Sequence, residues 1–270
     1  NNNFTSNMKT EKLYVLYGSQ MGNSEAAAKE FCNQLPSKLS PSYLQTTFQK
    51  TDDDEPVTIE PICIQLDDFL DVHHAAYTKC IVIFVSSYGV GQAPLGSYKF
   101  RTFAEKLLEK TTSADNGDTD ADATKVLLDG LRYAICGLGD SGYTTFLKNP
   151  TTIDEGLTSA GAQRIGEMGK ADAGQIGAKA QDKTIAQWMD NIWTPLGKAI
   201  VDNSSVGADE KKLRTMQLNT IPLLQEIDPD YEPPKELCAS STSTGTMAMG
   251  CSSPVMIGAG LAALAAIGIA

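Results

Sequence analysis

The chain has 270 residues, with 33 acidic and 22 basic side chains, which gives a formal net charge of −11. This acidity argues against nucleic acid as a partner, because phosphate backbones attract basic surfaces. The six cysteines have neither the spacing of a zinc site nor that of a disulfide framework, so no metal ligand set is predicted. The length predicts one α/β domain of about 190 residues with extensions.

Apolar runs rich in β-branched residues alternate along the chain with amphipathic segments. The apolar runs predict strands over residues 13–17, 57–64, 81–86, 132–137 and 163–166. Helical periodicity predicts helices over residues 24–35, 97–110, 149–160 and 176–200. This alternation predicts a doubly wound parallel sheet with right-handed crossovers, and such sheets bind ligands at the carboxyl ends of their strands.

The loop of residues 19–24 follows the first predicted strand and precedes an amphipathic helix. Free backbone N–H groups at a helix N-terminus, together with serine hydroxyls, form an anion site. Gly22 permits the close approach or positive φ that such a loop needs. No lysine follows as in a P-loop, so a single phosphate monoester is favoured over a nucleoside triphosphate with magnesium. An N-capped helix after a tight turn is the alternative for this loop alone.

Two further glycine-rich loops, residues 86–91 and 137–143, follow the third and fourth predicted strands. Each presents a tyrosine at the strand end, Tyr88 and Tyr143. Two aromatic side chains flanking one crevice suit a flat conjugated ring, since offset stacking adds about 0.5–1.5 kcal/mol per aromatic pair. The alternative is that Tyr88 and Tyr143 are ordinary exposed aromatic residues in turns and bind no ligand. Three loops at one sheet edge predict one ligand held by all three.

The three loops contain Tyr17-Gly18-Ser19-Gln20-Met21-Gly22-Asn23, Ser86-Ser87-Tyr88-Gly89-Val90-Gly91 and Gly137-Leu138-Gly139-Asp140-Ser141-Gly142-Tyr143. Together they resemble the motifs of the flavodoxin-like FMN-binding domain of the diflavin reductases. The resemblance covers about residues 12–200 and implies a five-stranded parallel sheet in the order 2-1-3-4-5. The third motif and the stretch Gly169-Lys170-Ala171-Asp172 look most like methionine synthase reductase.

The resemblance also implies which residues bind the FMN. The phosphate would be held by Ser19, Gln20, Gly22, Asn23 and Ser24, with Met21 in place of the family's phosphate-binding threonine. The isoalloxazine ring would be bound on one side by Ser87, Tyr88, Gly89, Val90 and Gly91, where Val90 replaces a common acidic residue. The other side would be formed by Gly137, Leu138, Gly139, Asp140, Tyr143 and Phe146, with Asp172 as an acidic neighbour of the flavin. A backbone carbonyl near Gly89 is expected to face a nitrogen of the ring.

By this resemblance the chain is an FMN-dependent electron carrier, an oxidoreductase component that passes single electrons to an acceptor redox protein. The donor would be an NADPH-dependent reductase or reductase domain, and the acceptor would have a basic surface that complements Asp67, Asp68 and Asp71. Two alternatives stay open: an FMN module of a longer diflavin or flavodoxin-fused enzyme, and a non-redox flavodoxin-like scaffold. His73 and His74 are interpreted as a solvated helix end.

The ends of the chain differ in composition from its centre. Residues 1–11 are predicted to be a disordered extension, residues 12–200 the FMN-binding domain and residues 201–254 a flexible linker. Residues 255–270 carry no charge and are predicted to anchor the protein to a membrane, with the flavin domain on the cytoplasmic side. A truncated dinucleotide-binding strand is the second interpretation of this tail, and disorder or a surface role is the third.

Overall fold

A computed structural model describes residues 9–48, 56–71, 80–112, 126–205 and 210–233. Within them, parallel strands form one sheet: β1 (Lys9–Gly18), β2 (Val57–Gln65), β3 (Cys80–Ser86), β4 (Arg132–Gly139), β5 (Gln163–Arg164) and β6 (Gly169–Asp172). The strand order is β2-β1-β3-β4-β5, with β6 also paired to β4. The predicted order 2-1-3-4-5 is therefore confirmed.

The edge of the sheet beyond β4 is divided between two short strands. β5 pairs with the start of β4 through Tyr133 and Arg164, and β6 pairs with its end through Gly139 and Asp172. The sequence predicts only one strand here, over residues 163–166. Gly166 has a φ of 66°, which turns the chain between β5 and β6. The second short strand brings the turn after Asp172 to the same sheet edge as the three glycine-rich loops.

Seven helices are described: α1 (Asn23–Lys38), α2 (Pro41–Phe48), α3 (Leu66–Asp71), α4 (Tyr98–Thr112), α5 (Lys148–Ser159), α6 (Gln181–Ser205) and α7 (Glu210–Ile227). Buried side chains of α1, α2 and α6 pack on one face of the sheet, where they meet Val82 and Phe84 of β3. Those of α3, α4, α5 and α7 pack on the other face, with Ile81 and Ile83. The sheet is therefore covered on both faces, as the doubly wound prediction requires.

Aromatic contacts join the helices of the first face. The ring of Phe31 in α1 stacks on Trp193 of α6, with centroids 4.1 Å apart. Trp188 of α6 packs edge-on against Phe84 of β3 at 5.4 Å. Such pairs add about 0.5–1.5 kcal/mol each beyond the burial of their surface. They position the N-terminal ends of α1 and α6 relative to the sheet.

The region predicted as a linker contains a packed helix. α6 continues to Ser205, and α7 follows it with Leu223 and Leu224 buried against the second face. Glu226 accepts ion pairs from Lys106 and Lys110 of α4 at 2.9 and 3.1 Å. The prediction of a flexible linker is therefore wrong for residues 201–205 and 210–233. Pro222 inside α7 and the weak periodicity concealed a helix that packing on α4 stabilises.

Other predictions about the outer segments have different outcomes. β1 begins at Lys9, so residues 9–11 belong to the sheet and not to a disordered extension. α2 lies between the first two strands, where the sequence predicts no helix. His73, His74 and the tail of residues 255–270 lie outside the described residues. Among the helices that are described, none combines the length and the apolar character needed to span a bilayer.

The packing of α7 gives the first testable prediction. Leu224→Ala removes a buried side chain from the second face and is expected to lower the free energy of unfolding by about 2–4 kcal/mol. Asn219→Ala, at an exposed position of the same helix, is the matched control and is expected to change it by less than about 0.5 kcal/mol. Denaturant titration measures both values. Equal effects of the two variants would mean that α7 does not pack on the domain.

Candidate functional site

A cleft of about 350 Å³ opens at the carboxyl edge of the sheet. It lies among the loops after β1, β3, β4 and β6, next to the start of α6. Twelve of the predicted site residues line it: Ser19, Gln20, Met21, Asn23, Ser87, Tyr88, Gly89, Leu138, Gly139, Asp140, Tyr143 and Phe146. The other lining residues are Ser86, Thr145, Ala173 and Gln181. The structure therefore brings the three predicted loops together around one concavity of a size that binds small ligands.

The loop after β1 ends in an open helix N-terminus. Gly22 is the N-cap residue of α1, with a φ of 89°, and no side chain of the described residues caps this end. A Cβ at Gly22 would meet nothing within 4 Å, so the glycine is required for its backbone angle and not for space. Ser19 and Asn23 flank this N-terminus at the cleft. Uncapped N–H groups and polar side chains provide an anion site.

Two members of the predicted phosphate loop differ from expectation. Ser24 is fully buried, its hydroxyl has no hydrogen-bond partner, and it does not line the cleft. Its position on the inner face of the first helical turn points it towards the core. Met21 lines the cleft but is 86% exposed, so its side chain covers the rim without offering a hydroxyl.

The loop after β3 is a tight turn closed by a bridge between Tyr88 and Gln92. Gly89 and Gly91 both have positive φ, 54° and 87°. Gly91 is buried, and a Cβ there would come within 2.6 Å of Lys148, so this glycine packs against α5 and does not line the cleft. Val90 is 74% exposed and points away from the lining. Val90 and Gly91 therefore shape the turn without facing the cavity.

Side chains from outside the loop hold it in place. Thr145 Oγ1 donates a hydrogen bond to the Gly89 carbonyl at 3.1 Å, so the carbonyl expected to face the ring already has a partner. The buried Asn149 Nδ2 donates to the Ser86 carbonyl, and its backbone N donates to Ser87 Oγ, both at 2.9 Å. Arg101 of α4 donates to Asn149 Oδ1 at 3.1 Å. Sequence reasoning missed Asn149, because one asparagine in a helix has no distinguishing pattern.

The loop after β4 presents the second tyrosine. Tyr143 lines the cleft and is 60% exposed, which leaves its ring available to a ligand. Phe146 lies beneath the loop, where a Cβ at Gly139 would approach it to 2.9 Å. Gly137 is not part of the lining, since a Cβ there would meet Pro150 of α5 at 2.7 Å. The third loop therefore needs Gly137 for packing and Gly139 for close approach.

Asp172 links two loops and does not line the cleft. Its Oδ1 accepts hydrogen bonds from the backbone N–H groups of Ser141 at 2.8 Å and Gly174 at 2.9 Å. Gln175 Nε2 donates to Oδ2 at 3.2 Å. The Ser141 side chain makes the largest contribution to lowering the pKa of Asp172 to about 2, and the bonds from the two backbone N–H groups and Gln175 add to it. Asp172 therefore holds the loops after β4 and β6 together, and its role as an acidic neighbour of the flavin stays a prediction.

Gln181, at the first position of α6, joins the phosphate side of the cleft to the other loops. Its Oε1 accepts a hydrogen bond from Asn23 Nδ2 at 3.1 Å. Its Nε2 donates to the carbonyls of Gly139 and Ala171, each at 3.2 Å. A lone glutamine at a helix start carries no sequence signal, and the sequence analysis did not find it. The contacts of Gln181 couple the position of Asn23 to the ends of β4 and β6.

The chemistry of the cleft is that of binding. The hydroxyl of Tyr88 hydrogen-bonds that of Tyr98 at the start of α4, which raises the pKa of Tyr98. Within the described parts of the chain, no cluster of three or more His, Cys, Asp or Glu residues could hold a metal ion. Hydroxyl and amide side chains of the lining come from the loops after β1, β3 and β4 and from Gln181, and its aromatic side chains come from the loops after β3 and β4.

The depressed pKa of Asp172 predicts a pH-dependent contribution to stability. The carboxylate form is favoured by folding, so its contribution is present above about pH 4 and is lost as the pH falls towards 2. We expect Asp172→Asn to lower the midpoint of thermal unfolding at pH 6, and the difference from the unmutated chain to shrink below pH 4. Asp182→Asn, an exposed position on α6, is the control. A difference that stays constant from pH 6 to pH 3 would contradict the assignment.

Comparison with known proteins agrees with this geometry. The family model described as Flavodoxin matches residues 15–188. The NADPH–cytochrome P450 reductase of Saccharomyces cerevisiae is 30% identical over 179 residues, which are 66% of this chain and 20% of that protein. The methionine synthase reductase of Mus musculus is 26% identical over 220 residues, 81% of this chain and 26% of the relative. The chain thus spans a fifth to about a quarter of the length of these curated relatives.

Among solved structures, oxidised Flavodoxin 2 from Bacillus cereus is 17% identical, with a TM-score of 0.43, and the match covers 71% of this chain and 99% of that one. Because the family model spans the sheet and all three cleft loops, the chain belongs to the flavodoxin family, the FMN-binding electron-transfer domain that is also found in the diflavin reductases.

Proposed function

We propose that this chain binds FMN in the cleft, accepts electrons from an NADPH-dependent reductase or reductase domain, and passes them singly to an acceptor redox protein. The observation that carries the proposal is the polarity of the cleft. An uncapped helix N-terminus lies at one end and two tyrosines, Tyr88 and Tyr143, lie at the other. FMN has the same polarity, with a phosphate monoester at one end and a flat ring at the other.

The phosphate end fits the first loop. A dianionic phosphate at the start of α1 would accept hydrogen bonds from the uncapped N–H groups and be stabilised by the helix dipole. Ser19 and Asn23 add polar side chains, and Gln181 holds the Asn23 amide in position. Met21 offers no hydroxyl where the family has a threonine, so the backbone of this loop would provide most of the contacts.

The ring end fits the other two loops. Tyr88 and Tyr143 would stack on the ring, and Leu138 and Phe146 would exclude water from its inner edge. The exposed Tyr143 would then be covered. When bound, FMN supplies the chemistry, because it takes up two electrons as a hydride equivalent and releases them one at a time. The protein binds and orients the ring and limits the access of water to it.

The relatives support an NADPH-linked donor. Two of them carry NADPH or reductase in their names, and this chain matches only about a quarter of their length or less. We propose that the complementary reductase is a separate protein or a further domain of the same polypeptide. The second arrangement would make this chain an FMN module of a longer fused enzyme. A full-length reading frame would distinguish the two.

We expect the purified chain to bind one FMN and to be yellow. Titration of apoprotein should quench FMN fluorescence, and riboflavin should bind at least about tenfold more weakly, since a charge-assisted phosphate contact contributes about 1.5–3 kcal/mol. Equal affinity for FMN and riboflavin would contradict the phosphate site at α1. A colourless protein that leaves the fluorescence of both flavins unchanged would instead support a non-redox scaffold.

Stacking on the third loop can be tested separately. Tyr143→Ala is expected to weaken FMN binding by about 1–3 kcal/mol, roughly 5- to 150-fold, and to change the spacing of the two one-electron potentials. Tyr143→Phe should retain most of the affinity. Ile176→Ala is the matched control, because Ile176 is an exposed apolar residue at the same sheet edge that does not line the cleft. A Tyr143→Ala variant with unchanged affinity and potentials would exclude stacking.

The acceptor is proposed to have a basic surface, which the net charge of −11 would attract. Asp67, one of the three aspartates predicted to attract the acceptor, already has hydrogen-bond partners within the protein. Its carboxylate accepts hydrogen bonds from the backbone N–H groups of Tyr98 and Phe100 and so caps α4, whereas Asp68 is exposed. The attraction would therefore depend more on Asp68 and on the overall charge than on Asp67.

Ionic strength tests this electrostatic attraction. Electron transfer to a basic acceptor protein should slow as salt is raised, because the screening length falls to about 8 Å at physiological ionic strength. Transfer to a small uncharged quinone is the control and should show no such dependence. Rates to the protein acceptor that are independent of salt would refute a basic docking surface.

A further inference from the structure

Two cysteines on neighbouring elements pack against the same face of the sheet, away from the cleft lining. Cys32 lies on α1 and Cys63 on β2, and the two thiols are close enough that each is the main cause of the shift in the other's pKa. Both are partly exposed and pack against the same core cluster, whereas Cys80 and Cys136 are buried. Cys32 and Cys63 are therefore a pair of adjacent thiols that reagents in solution can reach.

The surroundings of the two sulfurs differ. The neighbouring thiol of Cys32 and the nearby ammonium of Lys29 lower the pKa of the Cys63 thiol, against the effects of burial and of Glu25. The contact with Cys63 and burial raise the pKa of the Cys32 thiol. Lys29 also pairs with Glu25 at 2.6 Å, and the hydroxyl of Tyr17 is nearby. Cys63 therefore has the character of the attacking thiolate and Cys32 that of the resolving thiol.

We propose that Cys32 and Cys63 form a dithiol site that a small disulfide, such as glutathione disulfide, oxidises to an intramolecular disulfide. The Cys63 thiolate attacks one sulfur of the oxidant, which forms a mixed disulfide and releases one glutathione thiolate. Cys32 then loses its proton and attacks the Cys63 sulfur, which forms the Cys32–Cys63 bond and releases the second glutathione. The protein loses two electrons and two protons, and the oxidant gains them as two thiols.

The place of this pair in the fold gives the bond a structural effect. β2 is the edge strand of the described sheet and pairs with β1. α1 begins at the phosphate loop of the cleft. A disulfide would fasten the edge strand to this helix and close a loop that contains α2. Such a bond stabilises a protein mainly by restricting the unfolded chain. The site does not depend on the proposed electron-transfer function.

The experiment uses the full chain with Cys238→Ser and Cys251→Ser, which removes the two cysteines beyond the described residues. The protein is incubated with glutathione disulfide, blocked with an alkylating reagent, unfolded and mapped by mass spectrometry. We expect a peptide linked through Cys32 and Cys63, while Cys80 and Cys136 stay reduced. The midpoint of thermal unfolding should rise by several degrees and return to its starting value after treatment with dithiothreitol.

Single variants separate the two roles. In Cys32→Ser the mixed disulfide cannot be resolved, so Cys63 should keep one glutathionyl group. In Cys63→Ser, modification of Cys32 should be much slower than that of Cys63 in the first variant. The proposal is overturned if Cys32 and Cys63 remain reduced in the parent protein, or if Cys63 retains glutathione although Cys32 is present. Preferential modification of Cys32 would overturn the assignment of the attacking thiol.

Discussion

The burial of both faces of β3 is the constraint on which the rest of the structure depends. Residues 81–85 of this strand are 0% exposed, so a helical layer must cover each face. The parallel pairing of β1 and β4 with β3 then directs all three carboxyl ends to one edge. Because polar, glycine-rich loops cannot be buried in such a core, they lie together at that edge of the sheet. The cleft is therefore a consequence of how the core is packed.

Hydrogen bonds from a few side chains outside the loops determine the shape of the cleft. Asn149 holds the loop after β3, Asp172 joins the loops after β4 and β6, and Gln181 joins both to Asn23. These contacts are made between the protein's own groups, and they place the two ends of the cleft relative to each other. A site with this support loses less conformational entropy when it binds FMN.

Helix α1 connects the two chemically distinct places on the molecule. Its open N-terminus at Gly22 adjoins the cleft, and Cys32 lies about 15 Å further along the helix at a rise of 1.5 Å per residue. Phe31 anchors the same helix by stacking on Trp193 of α6. Because α6 carries Gln181 at its start, packing in the core aligns the phosphate loop with the other loops. Oxidation of Cys32 and Cys63 would strengthen the attachment of α1 to β2.

The amino-acid sequence by itself determined the positions of the long strands and the three cleft loops, since apolar runs and glycine-rich turns are local patterns. The sheet order came from the resemblance of those loops to the motifs of a known family. The sequence did not determine β6 or α7, whose formation depends on pairing with β4 and packing on α4. The motifs also placed Ser24 in the phosphate site, although it is buried, and they gave no sign that Asp172 joins two loops. Asn149 and Gln181 contact residues 63 and 42 positions away. Only the tertiary structure decided these roles, because a hydrogen bond between distant segments leaves no periodic signal in the chain.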